Sequence, residues 1–153
     1  MFVREVTERT EKEKIVRLIL EALPDWFGVS ESREAYIRES GSQQLFAAFD
    51  EDRPVGFMCL KETGKDTAEL SVLGVLKEYH GKGIGRELFL KSKEAAVGKG
   101  YSFLQVKTVK MGVYDDYDNT NRFYLALGFK EFEVFPLLWD ENNPCQVYVM
   151  SLK

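Results

Sequence analysis

The chain has 153 residues, 44% of them hydrophobic and 30% charged, with a formal net charge of −4 at pH 7. That length and balance predict one globular domain over residues 1–153, with a core of useful size. An acidic chain lacks the surplus of Lys and Arg that neutralises phosphates, which excludes a nucleic-acid partner. No apolar run approaches the roughly 20 residues that cross a bilayer, and MFVREVTERTEKEK is too charged for a secretory leader. The expectation is a cytoplasmic protein with no membrane partner.

The chain opens with a predicted strand, FVREV. Thr10 and Glu13 have the spacing of a capping box, and Ile15, Leu18, Ile19, Ala22 and Leu23 keep helical spacing up to Pro24. After PDWFGV, Ser30 is placed to cap a shorter helix ending near Gly41. QLFAAFD and PVGFMCLKE read as strands joined by DEDRP, and TAELSVLGVL as a third strand after TGKD. A glycine-rich loop follows, then a helix from about Gly83 to Val97. SFLQVKTV is a strand and DNTNRFYLALGF a short helix, with Thr120, Phe123, Tyr124 and Leu127 on one face and Gly128 as its C′ residue. KEFEVF and CQVYVMSL are the last strands, flanking a loop PLLWDENNP. The order β-α-α-β-β-β-α-β-α-β-β predicts a mixed α/β domain.

Few side chains offer chemistry. Cys59 and Cys145 stand far apart with no metal-type spacing and read as buried thiols of a reducing compartment. His80 is the only histidine. A multi-histidine zinc site is therefore impossible, so no metal is expected, and any Ser-His or Cys-His pair would have to use a residue inside the glycine loop.

That loop lies in VLKEYHGKGIGREL, with Gly81, Gly83 and Gly85 at alternate positions just where a helix begins. Glycine costs conformational entropy and packs nothing, so the cluster points to a need for the backbone itself. Uncommitted N–H groups and the positive end of a helix dipole suit a phosphate or pyrophosphate. A dinucleotide fingerprint fails, because the sixth position from Gly81 is Arg86, and neither GKG continues into the Lys-Ser or Lys-Thr of a nucleotide-triphosphate loop.

The signature (Q/R)-x-x-G-x-(G/A) does fit, with His80, Gly83 and Gly85 in its fixed positions. ELSVLGVL precedes it, and NRFYLALGF follows about forty residues later with Phe123, Tyr124, Gly128 and Phe129. In these three features the chain resembles the GCN5-related N-acetyltransferase (GNAT) superfamily. The resemblance covers nearly the whole chain and implies the GNAT acyltransferase fold, a central mixed sheet flanked by helices. It departs from the family pattern at His80, which stands for Gln or Arg, and at Tyr117, where an Asn is frequent. Asn119 or Asn121 is then the candidate for that amide.

The resemblance implies acetyl-coenzyme A as co-substrate, a primary amine of a small molecule or peptide as acceptor, and a possible homodimer. The coenzyme-binding set it implies is Leu73, Gly74, Val75, His80, Gly81, Lys82, Gly83, Ile84, Gly85, Arg86, Asn119 and Phe123. Within it, loop amides hold the pyrophosphate and the strand amides of Leu73–Val75 polarise the carbonyl; Gly74 also suits a bulge or a close approach. An amine with a pKa of about 10.4 is roughly one part in a few thousand neutral at pH 7. Glu69 is the candidate general base, with Glu62 and Asp115 as alternatives, and the resemblance implies Tyr124 as the candidate general acid for the leaving thiolate. Asp25, Trp26, Asp115, Asp116, Asp118, Trp139, Asp140 and Glu141 form a candidate rim for a cationic amine. The competing functions are a non-catalytic acyl-coenzyme A binder and a transferase or hydrolase of other acyl thioesters.

Overall fold

A computed structural model describes residues 1–153. Its elements are β1 (Phe2–Val6), α1 (Arg9–Glu21), α2 (Pro24–Phe27), α3 (Ser30–Ser40), β2 (Gln44–Asp50), β3 (Arg53–Gly64) and β4 (Thr67–Val75), then a 3-10 turn at Lys77–Tyr79. After it come α4 (Ile84–Gly98), β5 (Phe103–Val109), α5 (Asp115–Leu127), β6 (Lys130–Asp140) and β7 (Asn143–Ser151). The seven strands form one sheet in the order β1-β2-β3-β4-β5-β7-β6. Pairing of β4 with β5 is parallel, while β1 with β2, β2 with β3, β5 with β7 and β6 with β7 are antiparallel. The mixed α/β architecture is the one expected, with α2 as an added single turn.

Three local readings change. The first helix is capped by Glu8, whose carboxylate accepts from Glu11 N at 2.9 Å. Thr10 already lies inside the helix, so the Thr10–Glu13 box does not form. Ser30 is the first residue of α3 rather than its cap, and Val29 precedes it with no side-chain bond. Finally, most of PLLWDENNP is strand. Phe135 pairs with Cys145 and Asp140 with Asn143, so residues 136–139 stand out as a bulge opposite the single Pro144. The turn is only two residues long because Asp140 Oδ1 accepts from Asn142 N at 2.8 Å and from Asn143 Nδ2 at 2.9 Å. β6 ends the sheet, and Phe132, Leu137, Leu138 and Trp139 on it are exposed.

The chain divides into two compact units, Met1–Lys61 with Leu70–Lys99 and Glu62–Glu69 with Gly100–Lys153. In the first, α1 buries Ile15, Val16, Ile19 and Leu20, and turns Leu18 outward. A Cβ on Gly74 would lie 3.0 Å from Leu23 Cδ1 and 3.1 Å from Ile19 Cγ2, so α1 and Leu23, two residues past its end, approach β4 more closely than a side chain allows. Val75 points to the opposite face by strand alternation. There its Cγ2, together with Leu88 Cδ1 of α4, would meet a Cβ placed on Gly56. Helices thus cover both faces, and two glycines set the spacing at the end of β4.

In the second unit, α5 packs its Asn121 and Tyr124 inward. Tyr124 has Phe129 at 5.8 Å and Tyr148 of β7 at 6.1 Å between ring centroids.

Gly74→Ala tests the first contact. It should lower the free energy of unfolding by about 1–3 kcal/mol, the range for overpacking a filled core. The measurement is a urea midpoint against wild type, and an unchanged midpoint would mean that α1 stands further from β4.

Candidate active site

The passage from β4 to α4 runs through the 3-10 turn, His80 in an extended conformation, and then two left-handed residues, Gly81 (φ +74°) and Gly83 (φ +80°). No atom lies within 4 Å of a Cβ built on either. The glycines are there for the sign of φ, which L side chains rarely adopt, and not for want of space. Gly83 is the N-cap of α4 and makes no side-chain cap bond; the first helical bond is Glu87 N to Gly83 O at 3.1 Å. The N–H groups of Ile84, Gly85 and Arg86 therefore open the helix with no intrahelical acceptor. His80, Gly81, Lys82, Gly83 and Arg86 are exposed, and Ile84 is the buried anchor.

At the end of β4 the peptide planes have defined directions. Gly74 O lies 3.3 Å from a Cβ built on Gly56 of β3. Every peptide bond is trans, so the Val75 N–H in the same plane points away from β3. The next plane is held at both ends. Leu76 N donates to Val55 O at 2.9 Å, and Val75 O lies 2.6 Å from His80 Nε2. The structure thus ties Val75, at the end of the strand that carries Leu73 and Gly74, to the glycine loop through His80. Tyr79, one residue earlier, donates its hydroxyl to Asp50 Oδ2 at 2.6 Å, and that carboxylate pushes the phenol pKa up.

The second unit holds Tyr124, Phe123, Asn119 and Glu69. Tyr124 is buried and Phe123 half-buried. Asn119 is exposed and accepts from Arg122 NH1 at 2.9 Å. Asn121 is wholly committed: Nδ2 donates to Val109 O (2.8 Å) and Tyr117 O (2.7 Å), and Oδ1 accepts from Tyr148 OH (2.6 Å). Of the two asparagines, only Asn119 keeps an amide for a ligand. Burial, with Glu131 nearby, pushes the Tyr148 phenol up. The sequence reading put Thr120, Phe123, Tyr124 and Leu127 on one face; of these Tyr124 is fully buried and the other three half-buried, while the second fully buried residue, Asn121, was not on that face.

Glu69 is not an exposed strand residue. It is 6% exposed, and its Oε1 lies 2.9 Å from Lys107 Nζ on β5. The pairing of Glu69 with Gln105 puts Lys107 two residues further along the neighbouring strand, on the same face. Cys145 shares this neighbourhood: burial drives its thiol up to about 11, Lys107 opposes the rise and Glu69 adds to it. Lys107 was missed because a strand lysine has no sequence mark until its cross-strand partner is known. Of the alternatives, Glu62 accepts from Tyr101 OH at 2.7 Å, and Asp115 is exposed at the start of α5.

The acidic residues expected to form a rim are partly spent within the protein. Asp25 pairs with Lys77, Asp118 Oδ1 accepts from Gly112 N at 2.7 Å, and Asp140 closes the β6–β7 turn. Trp139 is exposed on the β6 bulge. No group of three or more His, Cys, Asp and Glu side chains is arranged to hold a metal ion, and no helix is long and apolar enough to cross a membrane.

A left-handed glycine exit from β4 into α4, with a late helix ending in Gly128-Phe129, is the arrangement of an acetyltransferase of the GNAT type. The chain belongs to that family: the model of the acetyltransferase (GNAT) family matches residues 12–129, from α1 through Phe129. No curated protein matches it. Among solved structures, it is similar to a GNAT-family protein from Desulfovibrio desulfuricans, at 18% identity and TM-score 0.83 over 99% of both chains. It is similar also to an aminoglycoside 6′-N-acetyltransferase complexed with coenzyme A, at 20% identity and TM-score 0.75 over 100% of this chain and 98% of the other. A third is an IAA acetyltransferase from Bacillus cereus, at 19% identity and TM-score 0.72 over 98% of each. At these identities the likeness establishes the fold.

Removing the Asn121 amide takes a side-chain bond from each of two carbonyls and leaves the Tyr148 phenol without its acceptor, all around α5. Asn121→Ala should cost about 2–4 kcal/mol and Tyr148→Phe about 1–2 kcal/mol, from the penalty for unpaired buried polar groups. Chemical denaturation of both variants checks the order. A smaller loss for Asn121→Ala than for Tyr148→Phe would refute the assignment.

Proposed function

We propose that the protein transfers an acetyl group from acetyl-coenzyme A directly to a primary amine of a small molecule or peptide. The observation that carries the proposal is the glycine exit from β4, which lies within the residues 12–129 that the family model matches. The N–H groups around Gly81–Arg86 are taken to hold the pyrophosphate, where oriented amides and a helix dipole both favour negative charge. Lys82 and Arg86, exposed beside them, add positive charge. The fit is favourable on one further ground: left-handed residues at 81 and 83 turn backbone rather than side chains toward the ligand.

The thioester carbonyl would be polarised by the Val75 N–H, which points away from β3 and is fixed in direction before the substrate arrives. Preorganised donors of this kind act without reorganisation as the tetrahedral charge develops. The acceptor must lose a proton to attack, at a cost of about 4–5 kcal/mol for a lysine-like amine at pH 7. Glu69 is assigned that role through water, with the Lys107 ammonium aligning its carboxylate. When the tetrahedral intermediate collapses, the C–S bond breaks and the thiolate takes a proton, assigned to the Tyr124 hydroxyl. The resulting phenolate recovers that proton through solvent.

The acceptor class follows from the amine chemistry rather than from charge. Two similar structures are aminoglycoside 6′-N-acetyltransferases. The internal pairing of Asp25, Asp118 and Asp140 leaves fewer carboxylates here for a polycationic sugar. Polyamines, amino acids, aminoglycosides and peptide N-termini therefore belong in one screen for release of free thiol.

Tyr124→Phe separates an enzyme from a coenzyme binder. The ring contacts with Phe129 and Tyr148 remain and only the hydroxyl goes. Single-turnover acetyl transfer should fall about 10²–10⁴-fold, the range for one positioned proton donor, with coenzyme A affinity nearly unchanged. Single-turnover rates within about twofold of wild type would remove Tyr124 from the mechanism. Coenzyme A binding with no amine acetylated would replace the enzyme by a binding module.

A further inference from the structure

His80 occupies the place where the loop signature has a glutamine or arginine, yet its ring turns back toward its own strand. Nε2 lies 2.6 Å from Val75 O. A carbonyl oxygen only accepts, so Nε2 carries the hydrogen, and it does so in both the neutral and the protonated ring. This peptide is the one whose N–H end, at Leu76, is bonded to Val55 on β3. The Val75–Leu76 plane is therefore gripped from two sides.

The ring is itself supported. Trp26 of α2 meets it edge-on, with centroids 6.0 Å apart and planes at 72°. Lys77 places its ammonium 5.6 Å from the centre of the Trp26 ring and pairs with Asp25, the neighbouring residue on α2. α2 buries none of its residues completely, and these contacts tie its tryptophan to the segment leaving β4.

We infer that His80 is a positioning residue: buttressed by Trp26, it clamps the Val75–Leu76 peptide and so restrains the adjoining Gly74–Val75 plane, which carries the Val75 N–H. The inference rests on the proposed acetyl transfer, in which that N–H polarises the thioester carbonyl. The ring contributes neither a proton to the reaction nor a charge to the pyrophosphate. A glutamine amide at position 80 supplies an N–H donor of similar reach, which an alanine does not.

The test pairs binding with turnover in four variants. His80→Ala should lower kcat about ten- to a hundred-fold, the scale of a small misplacement of a catalytic group. Coenzyme A affinity measured by calorimetry should stay within about threefold, since the loop amides are untouched. His80→Gln should recover most of the lost kcat. Trp26→Ala should show a smaller loss of kcat in the same direction, and Trp26→Phe should lie close to wild type. Affinity lost with kcat kept in His80→Ala would make the imidazole a phosphate ligand. A His80→Gln variant as slow as His80→Ala would make it an acid or base. Wild-type kcat and affinity in His80→Ala would remove the clamp altogether. One readout does not depend on turnover: nitrogen NMR of the ring should show the Nε2–H tautomer, and Leu76 amide exchange should speed up in His80→Ala. A wild type that binds no coenzyme A would overturn the acetyl-transfer reading, whereas an Nδ1–H tautomer or unchanged Leu76 exchange would overturn the clamp.

Discussion

The chain leaves β4 and enters α4 through two residues that carry positive φ, and the rest of the first unit is arranged around that requirement. Gly81 at +74° and Gly83 at +80° let the backbone turn without presenting a side chain, so the first amides of α4 stay open. Ile84 anchors the new helix in the core directly after the turn. On the strand side, Gly74 lets α1 settle against β4 and Gly56 lets Val75 and Leu88 settle on the other face. Both ends of the turn are thus held by packing that tolerates little movement. The peptide between them is held by hydrogen bonds from Leu76 and His80.

The second unit solves a different problem, which is to keep polar side chains inside. Asn121 uses both amide hydrogens and its oxygen, tying α5 to the end of β5 and to Tyr148 of β7. Tyr124 sits one turn further along the helix, ringed by Phe129 and Tyr148. Glu69 and Lys107 form a second, partly buried polar contact, one charge on β4 and its partner on β5. Removing Lys107 leaves the Glu69 carboxylate with little water to replace its partner. These fixed polar groups suit a reaction that moves protons, because their orientation is settled by the fold and not by the substrate.

The strand and helix order was legible because periodicity and glycine placement are local signals. The glycine loop was legible as a backbone feature, since glycines alternating through 81–85 at a helix start fill no core and serve to bare the main chain. What could not be read depends on partners distant in sequence. Lys107 looked like any strand lysine until β4 and β5 came together. The Asn121 amide looked available until Val109, Tyr117 and Tyr148 were seen to consume it. His80 read as a substitute in a phosphate signature, and only the fold shows its ring turned back to Val75. The capping box at Thr10 failed because Glu8 captured the Glu11 amide first. PLLWDENNP read as a loop because of its prolines, whereas Asp140 folds its end into a tight turn and the bulge absorbs Pro136.

The central claim is that the backbone from the end of β4 to the first turn of α4 holds the coenzyme. The most direct measurement is a titration of the nitrogen-labelled protein with acetyl-coenzyme A, followed through its amide resonances. The amides of Val75, Gly81 and Gly83 through Arg86 should show the largest shifts and saturate together, in line with bonds from oriented N–H groups to phosphate and carbonyl oxygens. Saturable binding that leaves those amides unmoved and shifts another surface would contradict the account.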